Sequence, residues 1–585
     1  MDVMEVDATV IARELPRDVI HNLYRHCGKW NMIRISHVCR LWRQTLHEYT
    51  GFWTDIDLHL GDRSLDLKAA YWLERSGQRP LTIDIWGGNL DIEEAPFLKE
   101  HSIVRLGIVL RGCMDRWQSF KIEVYSRRAI DILLPILAGY TPMLRYLRIE
   151  AIETDALVSV DAERPLIPLL APIGQQGGAK LSVSIDSYIP RLTTIGPSIT
   201  KLTVDGNHDT PWTSNDVLRM LQSCPNLINC DLYLPGSGEM GTPSESLESV
   251  SLLRLEELSI YFVPDIENIL DALLLPALES LALGQVDWTT TAMSALWCVF
   301  VASRSLSSFT LTDESPGYDI LTAPAPFHPF HADTLTLRAL KDLEITGNAF
   351  IRPLLEHINF SDAETLHLTS TTFGVVYRLI SSSAHLCDLS LSDVADIPTA
   401  STHSPVTLSA LCTLRIQNCP KLLDYIHAPY LKSLHLLCPS RSTANSEAPL
   451  CALIERSTPA LTALYLQTID ITNEEILGCL ERLSHLEILS LNACAISDTV
   501  LRALAVPPSP GGGTEWLLPH LKVVQFHQNV NITPQGVIEL FASRNTSAKF
   551  RIRGDVIFVE KPSGQDARAL SHYSSSLSVA HSHSV

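Results

Sequence analysis

A six-residue pattern, apolar-x-x-apolar-x-apolar, recurs from Leu144 to the C-terminal region of this 585-residue chain. Its clearest copies are LRYLRI (144–149), ITKLTV (199–204), LEELSI (255–260), LESLAL (278–283), LKDLEI (340–345), LCDLSL (386–391), LCTLRI (411–416), LKSLHL (431–436), LTALYL (461–466) and LEILSL (486–491). From Leu202 onward the central apolar residue returns after about 20–35 positions, a period typical of chains that stack one supersecondary unit. Such a chain builds its core repeat by repeat, so its length does not require one large core.

Alternation inside the motif predicts which side chains face the core, because successive side chains of a strand point to opposite faces. We expect pairs such as Leu147/Ile149 and Leu489/Leu491 to be buried. The single residue between the two members of each pair points the other way, and these residues form a predicted outward row. The row reads Arg148, Thr203, Asp231, Ser259, Ala282, Thr310, Glu344, His367, Ser390, Arg415, His435, Tyr465, Ser490 and Gln525. Period and alternation together predict an α/β fold, a leucine-rich-repeat solenoid whose parallel sheet lines the concave face of a horseshoe.

The composition narrows the classes of partner. The chain has 45 Lys and Arg against 65 Asp and Glu, a net charge of −20, whereas nucleic-acid binding needs clustered cations. No apolar stretch approaches the roughly 20 residues that cross a bilayer. The first residues, MDVMEVDATVIAREL, have acids where a secretory signal has bases. We therefore expect neither nucleic acid nor membrane as a partner, a cytoplasmic or nuclear location, and thirteen reduced cysteines.

Residues 11–58 do not follow the repeat, and their pattern predicts a small helical module. Leu15-Pro16 opens a first helix, because Pro is tolerated in the first turn, and Gly28 ends it. A second helix follows, with apolar residues at helical spacing. Two helices in so short a segment cannot bury all of their apolar side chains, and leftover apolar surface usually means a partner.

The same segment resembles an F-box, whose pattern is Leu-Pro, an apolar helix, Val-Cys-x-x-Trp and a later Trp. The matching residues are Leu15, Pro16, Val38, Cys39, Trp42 and Trp53. The resemblance implies that the module binds a Skp-family adaptor and, through it, a cullin. The adaptor-binding residues that it implies are Leu15, Pro16, Val19, Ile20, Leu23, Ile35, Val38, Cys39 and Trp42. Residues 72–85 also resemble the linker and first strand of the large fungal families of F-box proteins with leucine-rich repeats.

The C-terminal repeats are similar to the cysteine-containing repeat common in F-box proteins. In LEILSLNACAISDTVL (486–501), Cys494 closes the strand and Ser497 begins a return helix. Cys419 closes LCTLRIQNC in the same way, and Thr472 and Thr533 stand at matching helix starts. Ser, Thr and Asp suit these positions because their side chains accept hydrogen bonds from the free N–H groups of a first helical turn.

These patterns predict four regions. We expect an F-box at 11–58, a linker helix at 59–80, the solenoid at 81–560, and a disordered Ser/His-rich tail at 561–585. The repeat register within 86–140 cannot be assigned from the pattern. Breaker-rich segments at 235–246 and 507–513 predict two inserted loops.

Motifs for catalysis or metal binding are weak. GSGEMG (236–241) fits G-x-G-x-x-G, but no apolar helix follows it to offer its N-terminus to a phosphate. His581 and His583 are too few for a structural metal site. Cys419, Cys438, Cys451 and Cys494 lack the close paired spacing of zinc ligands. We therefore expect a chain that is not an enzyme and holds no metal and no cofactor.

The resemblance implies the substrate-recognition subunit of an SCF-type cullin–RING ubiquitin ligase, in which the repeats bind a target protein. The target-binding residues that we expect on the concave face are Glu344, His367, Arg415, His435 and Tyr465, because Tyr and Arg most often anchor interfaces. Two alternatives remain open. One is an F-box scaffold that acts outside ubiquitin transfer, and the other is an enzyme that uses its repeats as a recognition arm.

Overall fold

The computed structural model describes residues 17–26, 34, 37, 39–87, 100–153, 166–172, 180–188, 190–206, 212–235, 249–286, 288–312, 334–347, 351–398, 403–438, 447–506, 516–546 and 551–582. The chain divides into two compact units. Unit 1 comprises residues 1–279 with 283–287, and unit 2 comprises 280–282 with 288–585. The strand Ser280–Gly284 has residues in each unit. The predicted loops at 235–246 and 507–513 and the GSGEMG motif lie outside the described residues, except for Pro235.

Unit 1 contains a run of parallel strands, each paired in register with the next along the run. They are Asp55–His59, Leu81–Gly87, Trp117–Ser126, Tyr146–Glu153, Leu181–Asp186, Ile199–Asp205, Asn229–Tyr233 and Glu257–Tyr261. The return segments include the helices Leu65–Ser76, Glu100–Arg111, Arg127–Ile136, Ser214–Gln222 and Ile266–Leu270, and the 3-10 turns Met114–Arg116 and Gly196–Ser198. Short two-residue strands pair on the return side, Gly139–Tyr140 with Leu169–Leu170 and Val250–Ser251 with Leu273–Leu274.

The N-terminal helices are Arg17–His26 and Arg40–Glu48, followed by the 3-10 turn Thr50–Trp53. Trp53 ties this segment to the repeats. Its indole nitrogen donates a hydrogen bond to the Leu46 carbonyl oxygen over 2.9 Å, and its ring packs edge-on against Trp72 at 5.1 Å. Because Trp72 belongs to the helix Leu65–Ser76, the end of the predicted F-box packs directly on the first return helix.

The first strand begins earlier than predicted. The strand Asp55–His59 begins inside the predicted F-box range 11–58, yet it pairs in parallel with Leu81–Gly87. The helix Leu65–Ser76 therefore connects two neighbouring strands of one sheet, as the return helix of a first repeat, where a linker helix was expected. Buried and more exposed residues alternate in DIDLH as regularly as in later repeats. The leucine that begins the motif in those repeats is absent here, so the sequence pattern does not identify this strand.

Unit 2 contains a longer parallel run with the same construction. Its strands are Ser308–Thr312, Asp342–Thr346, Thr365–Thr369, Asp388–Ser392, Thr413–Gln417, Ser433–Leu437, Ala463–Gln467, Ile488–Asn492, Val523–His527, Arg553–Phe558 and Leu577–His581. Its return segments include Thr290–Ala302, Arg352–Leu355, Phe373–Ser382, Pro420–Tyr425, Glu447–Ser457, Asn473–Leu480, Asp498–Ala505, Pro534–Arg544 and Gly564–Ser571. Two short pairs, Leu335–Thr336 with Ile358–Asn359 and Val406–Thr407 with Ile426–His427, accompany them.

A repeated parallel strand with a return segment is the leucine-rich-repeat arrangement, as the period predicts. The predicted core faces are also confirmed, since Leu147, Ile149, Leu489 and Leu491 are all fully buried. None of the helices within the described ranges is long and apolar enough to cross a bilayer.

The C-terminal segment differs from the prediction. Residues 561–585 were expected to be disordered, but Gly564–Ser571 is a helix and Leu577–His581 pairs in parallel with Arg553–Phe558. The Ser- and His-rich composition does not reveal this repeat, because strand pairing uses backbone groups. Of residues 561–582, only Leu570 and Leu577 are buried. His583 lies outside the described residues.

The predicted helix starts at Thr472, Ser497 and Thr533 are confirmed. Each residue is the N-cap of its helix, and each side-chain oxygen accepts a hydrogen bond from a backbone N–H of the first turn. Thr472 forms a full capping box with Glu475. Caps of this kind contribute about 1 kcal/mol each to helix stability.

A left-handed residue follows most strands of unit 2. Ser370, Asp393, Asn418, Thr468, Ala493 and Gln528 have φ between 50° and 60°, although none is glycine. The N–H of each donates to the carbonyl oxygen of one of the last two residues of the next strand, as from Ala493 to His527 over 2.7 Å. The backbone hydrogen bond therefore holds a conformation that side chains of L-residues disfavour by about 1–2 kcal/mol.

Arg544 is a buried cation that fixes two successive repeats to each other. Its guanidinium donates to the carbonyl oxygens of Leu504 at 2.8 Å and Leu518 at 3.1 Å, and also to that of Leu517. Its charge lies 4.3 Å from the centroid of the Trp516 ring. Burial lowers the pKa of Arg544 to about 10, so it remains charged at neutral pH.

Candidate protein-binding face

The outward row of unit 2 runs across neighbouring strands at one register position. Its members Glu344, His367, Ser390, Arg415, His435, Tyr465, Ser490 and Gln525 pair in that order. All five residues expected to bind a target lie in this row. Adjacent strands are about 4.8 Å apart, so Arg415, His435 and Tyr465 present three consecutive side chains to one side of the sheet.

Asp388 organises the charges at the centre of the row. It begins the strand between those of His367 and Arg415. Nη1 of Arg415 donates to both carboxylate oxygens of Asp388, at 2.8 and 3.0 Å. Nε2 of His367 lies 3.5 Å from Oδ1 of the same carboxylate. Asp388 thus holds the Arg415 guanidinium in one place. This role depends on which strands are neighbours in the sheet, so the sequence motif alone does not predict it.

His435 and Tyr465 form the aromatic part of the row. Their rings stack in parallel, and the Ser433 hydroxyl lies 3.0 Å from Nε2 of His435. Burial and the nearby Arg415 cation lower the pKa of His435, and Asp388 offsets part of this effect. The imidazole is therefore neutral at pH 7, and the pair acts as a flat aromatic surface beside a fixed guanidinium.

Ser490 points outward as predicted but is covered, with 1% of its surface exposed. Its register neighbours are Tyr465 and Gln525, whose longer side chains flank the small hydroxymethyl group. Beyond Gln525, His527 pairs with Asp555, with 3.0 Å between Nε2 and Oδ2. Ser490 therefore offers a target little contact, whereas Tyr465 and Gln525 on either side of it are both half-buried.

The residues expected to bind an adaptor are only partly described. Leu15, Pro16, Ile35 and Val38, and the side chain of Ile20, lie outside the described residues. On the helix Arg17–His26, Val19 and Leu23 are 37% and 40% exposed. On and before the helix Arg40–Glu48, Trp42 is buried and Cys39 is half-buried. Trp42 therefore belongs to the core of the module, whereas Val19 and Leu23 offer apolar surface.

The cysteines that close strands pack as expected from the sequence. Cys494 and Cys419 are buried, and their thiols lie near carbonyl oxygens of their own and preceding strands. Burial raises the pKa of Cys494 to about 11 and that of Cys419 to about 12. Neither thiol ionises readily at neutral pH, so neither is activated as a nucleophile. In the parts of the chain described here, no group of three or more His, Cys, Asp and Glu residues is arranged to hold a metal ion.

Comparison with known proteins finds similarity among solved structures. No protein-family model matches the chain, and no curated protein matches it. Among solved structures, a leucine-rich-repeat protein from Leptospira interrogans is similar over 78% of this chain and 92% of its own, with 13% sequence identity and a TM-score of 0.29. The leucine-rich-repeat fold of the present chain rests on the strand registers of its own two units.

Proposed function

We propose that this chain is a non-catalytic receptor that binds a target protein on the outward row of unit 2. The observation that carries the proposal is the placement of Arg415, His435 and Tyr465 side by side on three consecutive strands. Arg and aromatic residues dominate the binding energy of protein interfaces. A repeat sheet presents such residues as one continuous surface.

The contacts of the row favour tight binding because they order it before a target arrives. Arg415 is held by Asp388, and His435 is held between Ser433 and the Tyr465 ring. A side chain that is already fixed loses less conformational entropy on association, about 0.5–1.5 kcal/mol for a long flexible side chain. The row therefore suits a target with an acidic or amide group beside a flat apolar group.

The more specific role that we propose is substrate recognition within an SCF-type ubiquitin ligase in the cytoplasm or nucleus. Its basis is the resemblance of residues 11–58 to an F-box, supported by the exposed Val19 and Leu23 on the helix Arg17–His26. In this role the module binds a Skp-family adaptor, the adaptor binds a cullin, and other subunits transfer ubiquitin. The alternative is a scaffold that binds the same adaptor without leading to ubiquitin transfer.

A triple substitution tests target binding. The variant Arg415→Ala, His435→Ala, Tyr465→Ala is compared with the matched control Arg482→Ala, Glu455→Ala, Glu481→Ala, whose residues lie on the return side of unit 2. Tagged full-length proteins are recovered from cells, and bound proteins are quantified by mass spectrometry. We expect a set of partners to be lost from the triple variant and retained by the control. Equal recovery of every partner by both would place the target site elsewhere.

A double substitution tests the adaptor surface. Deleting residues 11–58 would also remove part of the strand Asp55–His59 and damage the sheet, so point variants are required. We expect Leu15→Ala with Pro16→Ala to abolish adaptor co-purification while the melting temperature of the repeats is unchanged. If the adaptor binds and target proteins nevertheless do not accumulate when the chain is absent, the scaffold alternative is favoured.

A further inference from the structure

The outward face of unit 1 carries a row of carboxylates. Glu123, Glu150, Asp186 and Asp205 are register neighbours on four consecutive strands, and Trp86 precedes them on the strand before. Strand spacing places adjacent members about 4.8 Å apart. Like charges at this separation repel each other, so the row is a strained concentration of negative charge.

One cation partly compensates this row. Nη2 of Arg148 lies 2.6 Å from Glu150 and 3.9 Å from Asp186, and its Nε lies 3.4 Å from Glu123. Burial and the neighbouring carboxylates raise the pKa values of Asp186 and Asp205. The hydrogen bond that the Ser187 hydroxyl donates to Asp186 opposes this effect on the pKa of Asp186, and Arg148 opposes it less at both residues. Among the described residues, no other ion pair reaches these four carboxylates. Four acids facing one guanidinium leave the face negative.

A cavity of about 320 Å³ opens at the end of the row. Glu123 and Glu150 line it together with Trp86, Tyr125 and Ile152. Trp86 is 46% exposed and Ile152 is 47% exposed, a large apolar area for a sheet surface. The ring of Trp86 is braced edge-on by His59, with 4.6 Å between centroids. Two carboxylates and two aromatic rings thus share one cavity, and all of these residues belong to unit 1.

We infer that this face binds a basic segment of a partner protein, with one Lys or Arg side chain entering the cavity. The ammonium or guanidinium group would form charge-assisted hydrogen bonds with Glu123 and Glu150. The rings of Trp86 and Tyr125 attract a cation through their faces, and Ile152 covers its aliphatic stem. Further cations of the same segment would face Asp186 and Asp205. None of the residues of this surface belongs to the row proposed to hold the target in unit 2.

Peptide binding to the full-length purified protein tests this inference. The probe is a fluorescein-labelled decapeptide of alternating Gly and Lys, with Arg and Gln counterparts, measured by fluorescence anisotropy. We expect the Lys and Arg peptides to bind and the Gln peptide not to bind. The variant Glu123→Gln with Glu150→Gln should weaken binding about tenfold or more, as expected when charged hydrogen bonds are lost. Trp86→Leu should weaken it about threefold to tenfold without changing the net charge.

The matched control is Glu474→Gln with Glu481→Gln, which removes the same charge from exposed positions at a helix of unit 2. It should change affinity less than twofold. An equal loss in this control would mean nonspecific attraction to an acidic protein and would overturn the inference. Unchanged binding by both Trp86→Leu and the double variant would also overturn the inference.

Competition by spermine at the affinity of the Lys peptide would assign the cavity to small polyamines instead. The triple variant of Arg415, His435 and Tyr465 should bind the peptide normally, and this result would distinguish this site from the target site.

Discussion

The imidazole ring of His435 lies face to face with the phenol ring of Tyr465, with 4.1 Å between centroids and 11° between planes. The residues sit directly opposite each other on neighbouring strands. Because the contact spans two repeats, each ring fixes the orientation of the other. The charge on His435 therefore decides whether the centre of the row offers a target two neutral rings or an additional cation.

We expect the pKa of His435 to lie below 6.5, its ordinary value. Burial is the main cause and Arg415 the second, so Arg415→Gln should raise this pKa, whereas Asp388→Asn should lower it further. Ring resonances followed by NMR against pH give the value, with His435→Gln identifying the signal. A pKa above 6.5 in the folded protein would contradict the assignment.

The lowered pKa also predicts the direction of a stability change. Since the folded state disfavours protonated His435, its stabilising contribution is present above about pH 6.5 and is lost as pH falls through the folded-state pKa. Between pH 7 and pH 5 the melting temperature of the wild type should drop more than that of His435→Gln. Parallel curves for the two proteins would show that His435 is not the titrating group.

Leu489 and Ser490 test the assignment of strand faces. Leu489 is fully buried, so Leu489→Ala should lower the free energy of unfolding by about 2–5 kcal/mol. Ser490 is also buried, but Ser490→Ala removes only a hydroxyl oxygen and no apolar group of the core. Its effect should stay below about 1 kcal/mol. Denaturant titrations of both variants give the order, and a larger loss for Ser490→Ala would invert the faces.

Arg544→Met should destabilise unit 2 by about 3 kcal/mol or more. The substitution keeps apolar volume but leaves the carbonyl oxygens of Leu504, Leu517 and Leu518 without this donor, and each unsatisfied buried group costs about 1–3 kcal/mol. Arg482→Met is the control, because its ion pair with Glu455 is half exposed and contributes about 1 kcal/mol or less. Similar melting temperatures for both variants would argue against the buried role of Arg544.

Ala493→Gly should stabilise the protein by about 1 kcal/mol. Ala493 has φ of 50°, where glycine has no steric penalty and alanine does. The matched control is Ala503→Gly in the helix Asp498–Ala505, where glycine should destabilise by about 0.5–1 kcal/mol. Opposite signs in chemical denaturation are the expected result, and destabilisation by both would mean that the turn does not constrain φ.

Sequence reasoning predicts features that are local in the chain. Alternation identifies Leu489 as buried, and the Ser497 and Thr533 caps follow from residues within one helical turn. It misses features that depend on which strands become neighbours. Asp388 meets His367 and Arg415 across two strand boundaries, and Arg544 reaches carbonyls of the preceding repeat. Because the segments that connect the strands vary in length, the amino-acid sequence alone does not show which residues of neighbouring strands lie opposite each other.

The acidic row of unit 1 is not predicted from the sequence either, because it too depends on which strands are neighbours. Glu123, Glu150, Asp186 and Asp205 are separated by unequal intervals in sequence and come together only through the strand registers. The strand Leu577–His581 is missed for a different reason, since its pairing relies on backbone groups while its side chains are mostly polar or small.

The early start of the sheet has a mechanical consequence. The helix Arg40–Glu48 leads through the 3-10 turn Thr50–Trp53 into the strand Asp55–His59, and Trp53 packs on the first return helix. No flexible linker separates this helix from the strands that follow it. The packing of the helix against the first repeat would therefore fix the orientation, relative to unit 1, of a protein that binds the helix.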